Sequence, residues 1–137
     1  RHDALRTTFR DEAQSLDTPG PASVVQQGDC LDFQQVEAPA DIPEWLLDEQ
    51  YKPFNLHGGP LCRVRVLMDP SSSVWVLHWT LHHVSADLWS YNVLLDELAA
   101  AYEQLKTSQE VAWPSPAPQY RTCASEQAAW LESPAGE

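Results

Sequence analysis

Between Leu61 and Leu105 the spacing of apolar positions changes, and each change marks a different element. Leu61, Arg63, Arg65 and Leu67 alternate with Cys62, Val64, Val66 and Met68, which predicts a half-buried strand over Leu61 to Met68. Asp69-Pro70-Ser71-Ser72-Ser73 then turns the chain back. From Val74 to His82, Val74, Val76, His78, Thr80 and His82 face one way, and Trp75, Leu77, Trp79, Leu81 and His83 the other. Both sets are largely apolar, so this strand is expected at the centre of a sheet, covered on both sides. After Asp87 the period lengthens. Leu88, Tyr91, Leu94, Leu95, Leu98, Tyr102 and Leu105 step by three and four, with Asn92, Asp96, Glu103 and Gln104 between them, which predicts an amphipathic helix of about 18 residues.

The rest of the chain carries weaker patterns. Residues 1 to 5 read as the end of a helix running into a strand, Arg6 to Arg10, and Gln14 to Gly20 reads as a turn broken by Pro19-Gly20-Pro21. Ala22 to Gln27 and Leu31 to Glu37 are strand candidates separated by Gly28-Asp29, a hairpin-type pair. Asp41 is a helix N-cap followed by Pro43 and Glu44, which predicts a short helix from Pro43 to Gln50 that ends at the turn around Pro53. Phe54 to Pro60 forms a loop. Trp113 to Pro118 holds three prolines and reads as a stiff linker, after which Gln119 to Leu131 forms a last helix. Arg1 to Arg6 has helix-forming residues but neither a Met nor a cap, so the chain is expected to be a piece of something longer.

Composition narrows the partners. At 137 residues, 43% hydrophobic and with six Trp, the chain has material for one globular domain. Eight Lys and Arg against 20 Asp and Glu give a net charge of -12, with no basic stripe to follow phosphates. That excludes nucleic acid and an anionic membrane surface as partners, since both are held mainly by Lys and Arg. Cys30, Cys62 and Cys123 are odd in number and lack a CxxC pair, and they read as reduced thiols rather than a disulfide framework or a zinc site. No signal peptide opens the chain and no apolar run reaches the roughly 18 residues needed to span a bilayer. The cytoplasm is therefore the expected compartment.

Candidate chemistry concentrates where the second long strand meets the long helix, at His82-His83-Val84-Ser85-Ala86-Asp87. Imidazole titrates near neutrality, so a histidine fixed at a strand end can take a proton from a nucleophile and return it to a leaving group. Side chains on a regular strand alternate in direction, so one of the two histidines acts and the other supports. A purely structural reading stands beside this: Asp87 caps the helix by accepting the Ser90 amide, and the histidines donate to backbone carbonyls in the core. No metal site is expected, because adjacent strand positions point two His apart and no clear third ligand is present.

His82-His83-Val84-Ser85-Ala86-Asp87 with Leu88-Trp89-Ser90 resembles the HHxxxDGxS motif of condensation domains in nonribosomal peptide synthetases, a family of chloramphenicol acetyltransferase-like acyltransferases. Two more stretches carry the resemblance. Arg1-His2-Asp3-Ala4-Leu5-Arg6-Thr7-Thr8-Phe9 is similar to the family's RHxxLRTxF motif, and Pro53-Phe54-Asn55-Leu56 with Gly59-Pro60-Leu61-Cys62-Arg63 is similar to its PFDL and GPLxR segments. All three occur in the family's order, and Gln119 to Leu131 resembles the Trp-containing segment after the first lobe.

The resemblance implies an α/β fold of the α+β sandwich type, a chloramphenicol acetyltransferase-like lobe whose mixed central sheet is flanked by helices. It also implies that the chain is incomplete: residues 1–113 form the core of a partial N-terminal lobe, 114–118 a Pro-rich linker, and 119–137 the terminal helix and tail. The implied reaction joins an acyl or peptidyl thioester on one carrier protein to the amine of an aminoacyl acceptor on another, with no covalent enzyme intermediate. The domain itself then binds no cofactor, and the phosphopantetheine arm belongs to the upstream and downstream carrier proteins. Carried over, His83 is the catalytic residue that deprotonates or orients the amine, while His82, Asp87 and Arg6 give support, Asp87 by pairing with Arg6. Leu88, Trp89 and Ser90 are the substrate-channel candidates. Leu88 departs from the family's Gly, which leaves amine acceptor, hydroxyl acceptor and loss of activity all open. The active site lies between two lobes, so a chain without its second lobe is expected to be inactive and to expose apolar surface. Epimerisation, ester formation and a non-catalytic docking or scaffold role with a vestigial motif are the alternatives.

Overall fold

The computed structural model describes residues 1–12, 20–28, 30–69 and 73–136. The chain divides into two compact units, one of residues 5–85 and the other of residues 1–4 with 86–137. The hairpin turn expected at Gly28-Asp29 and the turns expected at Gln14 to Gly20 and Asp69 to Ser73 fall partly outside the described residues.

The unit of residues 5–85 holds two sheets. β1 (Thr7–Glu12) pairs antiparallel with β2 (Gly20–Val25). β3 (Asp32–Glu37), β4 (Cys62–Asp69) and β5 (Val74–Leu81) form a mixed sheet in the order β3-β4-β5, with β3 parallel and β5 antiparallel to β4. The expected hairpin between the second and third strands is therefore wrong: β2 turns back on β1, and β3 belongs to the other sheet. A parallel pair cannot be joined by a tight turn, and here the crossover from β3 to β4 carries α1 (Ile42–Tyr51).

α1 begins as its sequence predicts. Asp41 Oδ1 accepts the Glu44 amide at 2.9 Å, and Pro43 sits in the first turn, where its missing N–H costs nothing. The opening helical residues form only a short 3-10 turn, Asp3–Arg6, before β1 begins.

The burial of β4 and β5 is the reverse of the expectation. β4 is the middle strand, and Leu61, Cys62, Arg63, Val64, Arg65 and Leu67 are all buried. The half-buried reading rested on Arg63 and Arg65, whose charges are matched inside. Arg63 donates to the carbonyls of Lys52 at 2.9 Å and Pro53 at 2.6 Å, beyond the end of α1. Arg65 pairs with Asp32 at 2.7 Å and with Glu49 of α1, itself 2% exposed, at 2.9 Å. Lys52 completes the set on Glu49. β5, expected at the sheet centre, has β4 as its one strand neighbour among the described residues, and Val74, Trp75 and Leu77 are exposed.

The other unit is built on α2 (Leu88–Lys106) and α3 (Tyr120–Leu131). Arg1 pairs with Glu97 of α2 at 2.6 Å, donates to the Ser115 carbonyl at 2.6 Å and lies 4.7 Å from the Trp113 ring centroid. His2 shares Glu97 at 2.6 Å. Gln119 offers no cap to α3. Its side chain accepts the Asp3 amide and donates to the carbonyls of Arg1 and Ala117, so the residues before α3 clamp the chain's first three.

Candidate functional site

β5 stops at Leu81, one residue before the histidines. The alternation that would point His82 and His83 to opposite faces therefore does not reach them, and a turn orients them instead. The His82 amide donates to the Leu61 carbonyl at 3.0 Å, prolonging the β4 register by one step. The His82 carbonyl then accepts the Ser85 amide at 2.9 Å, and His82 Nδ1 accepts the Val84 amide at 3.1 Å. A backbone N–H can only donate, so this bond assigns Nδ1 as acceptor and places the proton of neutral His82 on Nε2.

The same turn treats the two histidines differently. The His82 ring is half-buried and meets the Phe54 ring at right angles, with centroids 5.8 Å apart. His83 occupies the turn itself and is exposed.

At the start of the other unit, Asp87 forms a full capping box. Its Oδ1 accepts the Ser90 amide at 2.8 Å and the Ser90 hydroxyl at 2.7 Å, while Ser90 Oγ accepts the Asp87 amide at 3.2 Å. Ser90 is thus engaged in the cap. Leu88 and Trp89 are 80% and 76% exposed. Leu88 opens α2, and the positive φ values found among the described non-glycine residues are at Ser73 and Ser108. The backbone here consequently takes Leu where the family motif has Gly.

Arg6 Nη1 donates to the Gln26 carbonyl at 2.9 Å at the rim of a cavity of about 200 Å³ lined also by Leu5, Thr8, Cys30 and Leu61. Gly59 borders it with φ +60, which favours glycine, and a Cβ there would press on Thr8 Cγ2 at 3.0 Å.

Other titratable groups serve the scaffold. The Cys62 thiol is pushed up by burial and takes the Trp79 indole N–H at 3.0 Å, which makes it a poor nucleophile. Burial pushes His78 down. Cys30, Cys62 and Cys123 are free. Among the described residues no group of three or more His, Cys, Asp or Glu could hold a metal ion, and no helix is long and apolar enough to cross a membrane.

The model of the condensation domain family matches residues 1–137. The chain belongs to the condensation domain family.

Relatives of this condensation domain chain include peptide synthases of much greater length. A linear gramicidin synthase of Brevibacillus parabrevis is 32% identical over 135 residues, covering 96% of the chain and 2% of that protein. A surfactin synthase of Bacillus subtilis is 33% identical over 103 residues, covering 75% of the chain and 3% of that protein. Among solved structures, the epimerization domain from the third module of tyrocidine synthetase B aligns with a TM-score of 0.79 at 21% identity over 96% of the chain and 30% of its own. The X-domain from teicoplanin biosynthesis aligns at 0.79 and 26% identity over 96% and 28%. The chain therefore spans about a third of the folded domains it matches and a small fraction of the curated proteins. The fold is that of the condensation domains and their chloramphenicol acetyltransferase-like relatives.

The condensation motifs also hold residues at the site to which the sequence pattern assigns no role. Phe54 and Arg63 lie in the PFDL and GPLxR stretches, and it is Phe54 that meets His82. Their positions were the available signal: an aromatic and an arginine in two motif stretches that precede the histidine motif.

Proposed function

We propose that the chain supplies His83 to the amide-forming site of a nonribosomal peptide synthetase condensation domain, in a parent protein that provides the second lobe. One observation carries this reading: in a chain of this family, the motif turn engages His82 in the backbone and leaves His83 exposed beside it. The acceptor amine attacks the carbonyl of the donor thioester, C–N forms, and the tetrahedral intermediate collapses with loss of the phosphopantetheine thiolate. His83 takes or orients the amine proton, which ends on the departing sulfur. Positioning of two tethered substrates lowers the barrier further, by several kcal/mol in comparable cases. Upstream and downstream carrier proteins are the partners, the parent works in the cytoplasm, and this chain alone is inactive.

The test is the full-length parent, supplied with carrier-bound donor and acceptor. Wild type forms the amide, and His83→Ala loses about 10²- to 10⁴-fold in rate, the usual worth of a general base. Absence of amide from the wild type refutes the reading. An α-carbon-epimerised substrate in its place would assign the site to epimerisation.

A further inference from the structure

The His82 ring is one end of a stack that begins in the buried arginine of β4. Arg63 Nη1 and Nη2 donate to the carbonyls of Glu49, Lys52 and Pro53 at 3.3, 2.9 and 2.6 Å, groups that the end of α1 leaves without helical partners. This fork fixes the guanidinium plane, which lies 3.8 Å from the centroid of the Phe54 ring. Phe54 in turn meets His82 at 90° and 5.8 Å. His82 Nδ1 accepts the Val84 amide while the same ring meets Phe54, so one ring orientation satisfies both, and the backbone amide of His82 separately holds the Leu61 carbonyl. His83 is covalently bracketed by His82 and Val84.

We infer that Phe54 and Arg63 are positioning residues for His83, acting through the ring of His82: the α1 terminus fixes Arg63, Arg63 fixes Phe54, Phe54 fixes the His82 ring, and that ring fixes the turn from which His83 projects. The inference rests on the proposed role of His83, but its geometric content does not. A right-angled ring contact is directional, so an aliphatic side chain of similar size fills the space without fixing the imidazole. Tyrosine keeps the ring. Lysine at position 63 keeps the charge and loses the planar fork. Because misplacing a catalytic group by a fraction of an ångström is costly while folding is indifferent to it, the relay shows in turnover rather than in stability.

Two measurements on the full-length parent test this. In single-turnover amide formation, Phe54→Leu lowers the rate constant by about tenfold with unchanged half-saturation by the carriers, Phe54→Tyr restores it, and Arg63→Lys falls between. Rates are taken per folded molecule, so a merely structural role would lower the yield of folded protein and leave them unmoved. In the second measurement, diethyl pyrocarbonate modification is followed residue by residue by mass spectrometry. Wild type protects His82 and modifies His83 quickly, Phe54→Leu accelerates His82, and Phe54→Tyr does not. A Phe54→Leu parent with wild-type turnover, or with His82 still protected, overturns the relay. A wild type that makes no amide sinks the proposed function, and the modification pattern still decides the relay by itself.

Discussion

Asp87 shows how one residue separates a structural duty from a chemical one. Its carboxylate accepts both the amide and the hydroxyl of Ser90, and such a cap is worth about 1 kcal/mol when removed. The family resemblance adds a charge partner, Arg6, and an exposed pair of that kind contributes only ~0 to 1 kcal/mol, against roughly 3 to 5 for a broken buried one. Asp87 is exposed, so the cap should dominate. We expect Asp87→Ala to lower stability by about 1 kcal/mol in urea unfolding and Asp87→Asn, which caps equally well, to recover most of it. An Asn variant as damaged as the Ala variant would show that the charge matters more than the cap. His83→Ala should unfold like wild type, because an exposed turn residue has little packing to lose. The motif itself was readable in the chain, down to the Ser90 cap. Which way each histidine faces was not, because strand alternation ends at Leu81 and the decision passes to two turn hydrogen bonds.

At the level of elements, alternation found β4 and β5, the three-and-four spacing found α2 and the Asp41 cap found α1, but the alternation ranked the two long strands in the wrong order of burial. Periodicity scores Arg63 and Arg65 as polar and Trp75 and Leu77 as apolar, whereas burial depends on which strand lies between two others and on what α1 brings over the sheet. The network around Arg65 makes the fold acid-sensitive in two stages. Burial lowers His78, with nearby Arg65 adding to this and Glu49 opposing it, so below its ordinary value of 6.5 the unfolded chain takes up a proton that the folded chain resists. Stability therefore begins to fall as pH drops through 6.5. The Arg65 hydrogen bond holds Asp32 below its ordinary 3.8, and although burial pushes Glu49 up, Lys52 and Arg65 outweigh it and hold it below 4.5. Their contribution is complete above those ordinary values and is lost as pH falls through the lower folded ones. Urea midpoints measured from neutral to acid pH should show both stages, and His78→Gln should remove the first alone. Arg65→Met, which leaves Glu49 buried with Lys52, should cost roughly 3 to 5 kcal/mol, and adding Glu49→Leu should recover much of that. A double variant no better than Arg65→Met would mean that packing, not charge, sets the cost.

For the whole molecule, the long helix carries a feature that matters once its surroundings are considered. Leu88, Tyr91, Leu95, Leu98, Tyr102 and Leu105 alternate steps of three and four, the 3.5-residue repeat of a helix that packs along another, and all but the half-buried Tyr91 are exposed. Asp96, Glu97 and Glu103 lie off this seam, which carries no charge. The solved relatives are about three times as long as the chain. In the chain by itself, burying a leucine is worth about 1.5 to 3 kcal/mol, and several aligned on one seam favour a second copy. The charge of -12 opposes that approach, and only over the Debye length, about 10 Å at 0.1 M salt. Self-association should accordingly strengthen as salt is added, the opposite of an assembly held by ion pairs. Sedimentation at rising concentration in low and high salt measures this directly. We expect a reversible dimer that grows with salt, and a monomer at all salts for the Leu95→Glu and Leu98→Glu double variant. A dimer that weakens with salt, or one untouched by the two glutamates, would place the contact elsewhere on the chain.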